Sequence, residues 1–383
     1  MAKISFVLGL YTVFFSLVST AVGEEVLITD IFTVQSGSNG GCDSRMGTLD
    51  QWHEESINSL DVAITATQNW LNDMRVRQSM DFFFGLNSYT SYADAQGTVT
   101  AIEQNIQYVL NFFNREKDST GTPRYSKVDY WLFCDSNFLT EKKRTDTAQD
   151  KDGKEILDKD KNKVSIEKIP KYLEELNKPK SNNKPWWAGD KAKGLNGYYF
   201  TDAGNAYCSD ARNLGGTAAI NIQSPDRVSQ TAAIILCPNA FNGVPNKDPP
   251  PVPNSYREAN LLLKDGYNLG DALPKSTTLV HEMFHALRGT AFLETPDEEY
   301  KIMKAINMAS GDPGKAQKNP ESYVFYIAHM FHLFGKPDGN EPWSIPKNWD
   351  FHIIDGGTTK GDKKDMVIGA KVPGPMDVDP DSD

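Results

Sequence analysis

Residues 277–287, TTLVHEMFHAL, place two histidines four positions apart, with a glutamate directly after the first. In a helix, side chains four positions apart project from one face, so His281 and His285 can bind one metal ion together. Zinc suits such a pair because it prefers tetrahedral nitrogen, oxygen and sulfur ligands. Glu282 then lies beside the metal, where a base for a zinc-bound water is needed.

The same segment also fits an ordinary core helix. Leu279, Met283 and Leu287 form an apolar face, and Gly289 suits the C-terminal end of the helix. The bare pattern is short and occurs by chance in many chains, where the two histidines are only packed. A third ligand is therefore needed to decide between a metal site and a core helix.

The downstream sequence TPDEEY supplies candidates for that ligand. Thr295 can cap a helix, Pro296 suits its first position, and Glu298 completes a capping box, which predicts a helix starting here. Asp297 in the first turn is the predicted third ligand, and the Tyr300 phenol, one turn later, can donate to an oxyanion. The alternative is that Asp297 complements the helix dipole and Tyr300 packs.

The first 23 residues have the order of a cleaved signal peptide. Lys3 precedes the apolar run ISFVLGLYTVFFSLV, and the small residues STAVG follow. That run is short for a bilayer span, and polar Glu24 and Glu25 follow at once. We expect a secreted, extracellular protein with no membrane association after cleavage.

Charge and cysteine content narrow the class of protein further. The net charge of −11 argues against nucleic-acid binding, which needs clustered basic side chains. Four cysteines, an even number, predict two disulfides in a secreted chain, and three pairings fit the sequence. The four are Cys42, Cys134, Cys208 and Cys237.

Length and periodicity predict an α+β domain. The chain has 383 residues, of which 39% are hydrophobic, enough for a substantial core. Helical periodicity marks residues 55–74 and 95–114, and β-prone residues mark 128–136. Further strand-like segments precede the metal helix at 197–202, 217–222 and 230–238.

Three segments differ from the predicted catalytic domain of residues 40–350. Residues 24–39 are predicted to be a flexible lead-in, and residues 355–383, rich in Gly, Pro and Asp, a disordered acidic tail. Residues 141–193 hold 15 of the 40 basic residues and 11 acidic ones. We interpret this insertion as solvated, with a short helix at SIEKIPKYLEEL; a cation-rich docking surface is the alternative.

Together these residues resemble a known family. The runs IILCPNAF (234–241), STTLVHEMFHALRGT, DEEY and NPESYVFYIA are similar to those of the aspzincin metalloendopeptidases, which include the deuterolysins and fungal peptidyl-Lys endopeptidases. The order and spacing match over about residues 200–330. The resemblance implies a zincin-like fold: N-terminal helices, a small mixed sheet, the metal helix and its supporting helices.

Carried over residue by residue, the resemblance implies one zinc ion. Its ligands would be His281, His285 and Asp297, with Glu282 as general base and Tyr300 as transition-state donor. This chain departs from the family where AFLET intervenes between Gly-Thr and Pro296, which leaves Glu294 as a rival ligand. Glu298 and Glu299 are further alternatives.

The resemblance also bears on specificity and on the disulfides. Glu321 matches an acid that receives a lysine side chain in lysine-specific relatives, and one carboxylate would favour that cation only weakly. Its alternatives are simple first-turn helix chemistry or a role as third ligand. The implied disulfide pairs are Cys208–Cys237 and, on a looser precedent, Cys42–Cys134.

The sequence thus predicts a monomeric secreted zinc endopeptidase acting on proteins or peptides. The non-enzymatic alternative is a secreted binding protein that keeps zinc for stability. His329 and His332, three apart and flanked by aromatics, could form a second metal site but fit core positions better. His53 and His352 have no partners visible in the sequence.

Overall fold

The computed structural model describes residues 26–178, 182–225, 227–242, 252–262, 268–293, 298–336, 348–354 and 365–371. The predicted signal peptide lies outside these ranges. In the described part of the chain, no helix combines the length and apolarity that crossing a membrane requires.

The helices and strands form a mixed α+β arrangement. The helices are α1 Ile28–Ile31, α2 Met46–Gln68, α3 Met74–Phe84, α4 Tyr92–Phe113, α5 Pro170–Leu176, α6 Pro238–Asn242, α7 Tyr256–Leu262, α8 Thr277–Arg288, α9 Ile302–Gly311, α10 Pro313–Ala316 and α11 Pro320–Phe334. The strands are β1 Thr33–Val34, β2 Tyr130–Phe133, β3 Thr140–Glu141, β4 Lys184–Trp187, β5 Tyr198–Thr201, β6 Gly215–Gln223, β7 Val228–Leu236, β8 Asn348–Ile354 and β9 Asp365–Lys371.

Seven strands form one mixed sheet in the order β1-β2-β7-β6-β5-β4-β3. The β1–β2 and β2–β7 pairs are parallel, and the remaining pairs are antiparallel. Alternate residues of β2 enter different hydrophobic clusters: Leu132 packs with the helices, whereas Trp131 and Phe133 pack on the opposite face. Both faces of the sheet are therefore covered, as period-two burial requires.

The long N-terminal helices match the predicted periodicity with shifted ends. The helix predicted over 55–74 is α2, which begins earlier and ends at Gln68, and the helix predicted over 95–114 is α4. The chain turns after α2 and restarts at α3, where the Asp73 side chain accepts the Arg75 N–H as an N-cap. The restart at α3 is thus a capping effect that the apolar stripe alone did not reveal.

The lead-in and the tail are more ordered than the sequence predicts. Ile28 and Phe32 are fully buried, and β1 pairs with β2, so residues 26–34 belong to the fold and are not a flexible lead-in. Within the predicted tail, β9 pairs antiparallel with β8 in a separate two-stranded sheet. In the lead-in, burial of a few large apolar residues outweighs the Gly- and Ser-rich composition that follows them.

The charged insertion is also folded and not merely solvated. It contributes β3 and β4 to the sheet, and α5 confirms the predicted short helix. Buried side chains from it form a small third cluster with β5. These are Ala148, Ile166, Ile169, Tyr172, Leu176 and Trp187. Its acidic residues fold locally, since the carboxylates of Asp150 and Asp158 each accept two backbone N–H groups.

The two disulfides join the pairs that the resemblance implies. Cys42 bonds to Cys134 and ties the region before α2 to the end of β2. Cys208 bonds to Cys237 at the end of β7. Helix α8 packs between the sheet and the helical layer, burying Leu279 and Met283, and it ends at Gly289 as predicted.

Candidate metal centre

Helix α8 presents both histidines and the glutamate at the wall of a broad cleft. His281 is 7% exposed and Glu282 is 5% exposed, while His285 is partly buried. The two imidazole rings lie 5.2 Å apart, centroid to centroid. The predicted spacing therefore brings both rings to one side of the helix, as a shared metal ion requires.

Glu298 provides the carboxylate beside these rings. Its Oε1 lies 2.6 Å from His285 Nε2 and 3.8 Å from His281 Nε2, and the residue is 6% exposed. One ligand atom from each of these three residues lies within 4.8 Å of the others. Among the described residues, this is the one His, Cys, Asp and Glu group with such geometry.

The predicted third ligand, Asp297, and its rival Glu294 lie outside the described residues. Their prediction stays untested by the geometry. Glu298, which the sequence offered only as a further alternative, is the described carboxylate at the histidine pair.

The helix predicted to begin at Thr295 is wrong over the described residues 298–300, which are not helical. Helix α9 begins only at Ile302. The reason is a tertiary contact: Asn319, at the N-terminus of α11, accepts the Glu299 N–H at 3.2 Å and donates to the Glu299 carbonyl at 3.2 Å. Both polar backbone groups of Glu299 are thereby bonded to a side chain. This tertiary contact outweighs the local preference of the capping box for a helix.

Tyr300 lies at the same site. Its hydroxyl donates to Glu298 Oε2, and its ring lies 5.6 Å from the His281 ring at an angle of 25°. The residue is 52% exposed, so the phenol borders both the carboxylate and the open cleft. The predicted neighbour of the metal ligands is therefore near them, through Glu298.

Glu282 is positioned by the sheet. The Thr217 hydroxyl on β6 lies 2.8 Å from Glu282 Oε2, to which it donates, and 3.0 Å from the Glu282 carbonyl oxygen. Gly215 lies alongside, and a Cβ there would come within 2.8 Å of Glu282 Oε1. The strand thus approaches α8 closely because its first residues lack side chains.

Glu321 contacts the other side of His281. Its Oε2 lies 2.8 Å from His281 Nδ1, and both side chains are nearly buried, at 13% and 9% exposure. The carboxylate that the resemblance assigns to a lysine side chain is therefore hydrogen-bonded to a predicted metal ligand.

The site is dense in charge. Burial alone would lower the pKa of His281, but the bond to Glu321 and the charges of Glu282, Glu321 and Glu298 outweigh it and raise that pKa to about 9. Burial raises the pKa of Glu282. Burial also opposes ionisation of Glu298, yet the His285 bond, the His281 charge and the Tyr300 hydroxyl together lower the pKa of this carboxyl. One carboxylate is thus held ionised beside another that resists ionisation.

The segment before β6 is fastened by a disulfide. Cys208, in the turn Gly204–Ser209, bonds to Cys237, and the adjacent Tyr207 hydroxyl donates to the Gly215 carbonyl. Burial raises the pKa of Tyr207, which keeps the phenol protonated. The start of β6, which supports Glu282, is therefore held from two sides.

The remaining histidines with described side chains are packing residues. His53 Nε2 lies 2.9 Å from the Phe113 carbonyl, and His329 Nδ1 lies 3.0 Å from Ser79 Oγ. His332 Nε2 lies 3.4 Å from the Ala272 carbonyl, and its ring meets Tyr256 edge-on. These contacts favour the core interpretation of His329 and His332, and the side chain of His352 lies outside the described residues.

The donor set could hold a metal ion. Tetrahedral zinc ligands about 2.0–2.1 Å from the ion would be about 3.3 Å apart, so His285 Nε2 and Glu298 Oε1, which lie 2.6 Å apart, would have to separate slightly to share one. Two imidazole nitrogens and one carboxylate oxygen are donors of the kinds that zinc accepts.

Sequence reasoning missed three contacts: the placement of Glu298, the bond from Thr217, and the bond between Glu321 and His281. Each joins residues at least 13 positions apart, so no local pattern carries it. Comparison with protein-family models, curated proteins and solved structures finds no match to this chain.

Proposed function

We propose that this chain is a secreted zinc-dependent endopeptidase that hydrolyses peptide bonds in proteins or peptides. The observation that carries the proposal is the group of His281, His285 and Glu298 ligand atoms within 4.8 Å of one another, with Glu282 beside it. A metal site kept only for stability does not need a buried glutamate directly after its first ligand.

The ligands in this proposal are His281, His285 and Glu298. A zinc ion held there would supply Lewis-acid polarisation of the substrate carbonyl and of water. Asp297, which the resemblance favours, is the alternative third ligand. Metal analysis of variants distinguishes Asp297 from Glu298 as the ligand.

Glu282 acts as the general base in this proposal. Its carboxyl is buried and its pKa is raised, which brings its basicity nearer to that needed to accept a proton from water at neutral pH. Thr217 holds Oε2 by a hydrogen bond, so the carboxylate keeps one orientation. The same carboxyl then delivers the proton to the leaving amine.

Tyr300 stabilises the developing oxyanion in this proposal. Its half-exposed phenol borders the cleft, and its hydroxyl proton can turn from Glu298 to a substrate oxygen. Tyr300 is thus the expected transition-state donor.

The proposed fold type is zincin-like, of the aspzincin kind. Support comes from the order of elements, with helices first, then a mixed sheet, then the metal helix and its supporting helices. Two disulfides agree with an extracellular site of action, as does the predicted signal peptide.

The decisive experiment compares the parent with Glu282→Gln. Denatured casein is digested and the cut sites are mapped by mass spectrometry, with zinc content measured on the same samples. We expect internal cuts by the parent that a chelator abolishes and zinc restores. Glu282→Gln should keep its zinc and lose activity by about 10²- to 10⁴-fold.

Glu299→Gln is the matched control. Glu299 neighbours Glu298, but its side chain pairs with Lys304 at 3.0 Å, away from the histidines. This variant should cut at the parental rate. A Glu282→Gln protein that cuts casein as fast as the parent would refute the mechanism, and a zinc-loaded parent that cuts nothing would refute the function.

A further inference from the structure

The first turn of α11 is built against the metal helix. Pro320 occupies its first position and restricts the backbone there, so Glu321 follows at a fixed place in the turn. Asn319, fully buried, bonds to Glu299 next to the ligand Glu298. Asn319 thus contacts the chain next to Glu298, and Glu321, two positions later, contacts His281 on α8.

The hydrogen bond between Glu321 and His281 has a defined direction. A carboxylate accepts hydrogen bonds, so the proton between Glu321 Oε2 and Nδ1, 2.8 Å apart, belongs to the imidazole. With Nδ1 protonated, the lone pair of a neutral imidazole is on Nε2. Nε2 is the nitrogen that lies 3.8 Å from Glu298 Oε1, on the side of the other ligands.

We infer that Glu321 is a positioning residue that fixes the orientation and tautomer of His281 for metal binding, and that it does not serve as the receptor for a substrate lysine. This role rests on the proposed metal site, of which it is a part. The carboxylate needs no substrate to be bonded, because its partner is a side chain of the same protein.

The expected loss of zinc affinity in Glu321 variants follows from comparable carboxylate–histidine contacts at other metal sites. Removal of a carboxylate that accepts the second N–H of a metal-bound histidine costs about 10- to 100-fold in metal affinity or activity. The glutamine amide can still accept from Nδ1–H through its carbonyl oxygen, whereas a methyl group cannot. Glu321→Gln and Glu321→Ala therefore separate hydrogen bonding from charge.

The test measures zinc affinity by chelator competition on the full chain, together with kcat and KM for peptides with lysine or leucine after the cut bond. We expect Glu321→Ala to bind zinc about 10- to 100-fold more weakly than the parent. Glu321→Gln should recover most of that affinity. Neither variant should change the ratio of lysine to leucine cleavage.

Two further measurements guard against misfolding. The circular dichroism spectrum and melting temperature are recorded for each variant, and Glu299→Ala controls for loss of a nearby carboxylate. In the zinc-loaded parent, proton–nitrogen correlation spectra of labelled histidine should find His281 protonated at Nδ1. This last readout needs no variant at all.

The opposite results overturn the inference. They are parental zinc affinity in a folded Glu321→Ala protein, or a His281 that carries its proton on Nε2 in the zinc-loaded parent. A Glu321→Gln protein that loses preference for lysine would also do so, since it would make the charge a substrate receptor.

Failure here is distinct from failure of the proposed function. A parent that binds zinc but cuts no peptide removes the proposed reaction and leaves the affinity test of Glu321 intact. A parent that binds no zinc removes both.

Discussion

Glu298 reaches the histidines from a stretch of chain that is not helical, and it is the described carboxylate beside His285 Nε2. It is almost fully buried, with Oε1 2.6 Å from His285 Nε2, and its pKa is lowered by the surrounding donors. Burying an ionised carboxylate is costly unless positive charge or a metal compensates it. The histidines supply that compensation for Glu298, and in the proposed function a metal ion would supply it too.

Metal content separates the two carboxylate assignments. We expect Glu298→Ala to lose nearly all bound zinc, because it removes one of three protein ligands. Asp297→Ala should keep it. Zinc is measured by atomic spectroscopy after dialysis, and the reverse pattern would restore Asp297 as the ligand.

Thr217 offers a test of how closely the proposed general base, Glu282, must be held. Thr217→Val keeps the shape of the side chain but removes the hydroxyl that donates to Glu282. A hydrogen bond to a charged group contributes about 1.5–3 kcal/mol, so kcat should fall by roughly 10- to 100-fold while zinc content stays parental.

Thr217→Ser is the matched control, since it restores the hydroxyl and should recover most of the rate. A Thr217→Val protein with parental kcat would show that β6 does not govern Glu282.

At the scale of residues, the sequence predicts what is local. The spacing of His281, Glu282 and His285 was enough to predict their common location. Contacts to Glu298, Thr217 and Glu321 depend on how distant elements pack, and a single sequence holds no signal for them.

Among the elements, the N-terminus of α11 does the most to assemble the site. Asn319 bonds to both backbone groups of Glu299 and donates to Ser322 Oγ at 3.1 Å. Because these groups are buried, the loss of the amide leaves partners unsatisfied.

We expect Asn319→Ala to lower the free energy of unfolding by about 1–3 kcal/mol and to weaken zinc binding. The control is Asp312→Ala at the N-cap of α10, where the side chain accepts the Lys315 N–H. It should cost about 1 kcal/mol without changing zinc affinity. Urea unfolding and chelator competition measure both quantities, and equal zinc affinity in the two variants would contradict the role of Asn319.

The elements themselves were predictable where one apolar stripe dominates, as in α2, α4 and α8. Prediction failed at residues 298–300, because Asn319 from another element outcompetes a good capping box. It also failed for the lead-in and the charged insertion. A few apolar residues such as Ile28 and Tyr172 bury there despite polar neighbours.

Across the whole molecule, one partly buried carboxyl joins the N-terminal helices to the start of α8. Glu55 on α2 accepts the Tyr256 N–H at 2.6 Å, at the start of α7, and the hydroxyl of Ser276, which precedes α8. Burial is the main cause that raises the pKa of Glu55 from 4.5 to about 7.

That shift predicts a pH dependence of stability. The folded state binds the Glu55 proton more tightly than the unfolded chain does, so protonation of Glu55 stabilises the fold. This stabilisation is complete below the unfolded pKa of 4.5 and is lost as pH rises through about 7. Between about pH 4 and pH 8 the free energy of unfolding should therefore fall by on the order of 3 kcal/mol.

Glu55→Gln keeps an uncharged acceptor and should remove this part of the pH dependence. Urea unfolding of both proteins at several pH values checks it. Parallel curves for parent and variant would contradict the assignment to Glu55.

The glycine at the start of β6 restricts how this chain can diverge over evolution. A methyl group at position 215 would lie 2.8 Å from Glu282 Oε1, too close unless that side chain shifts, so changes at the two positions are coupled. A descendant that accepted alanine at 215 would have to shift or surrender its glutamate. Relatives that have lost the proposed activity should therefore show substitutions at position 215 on the strand as well as at position 282 on the helix.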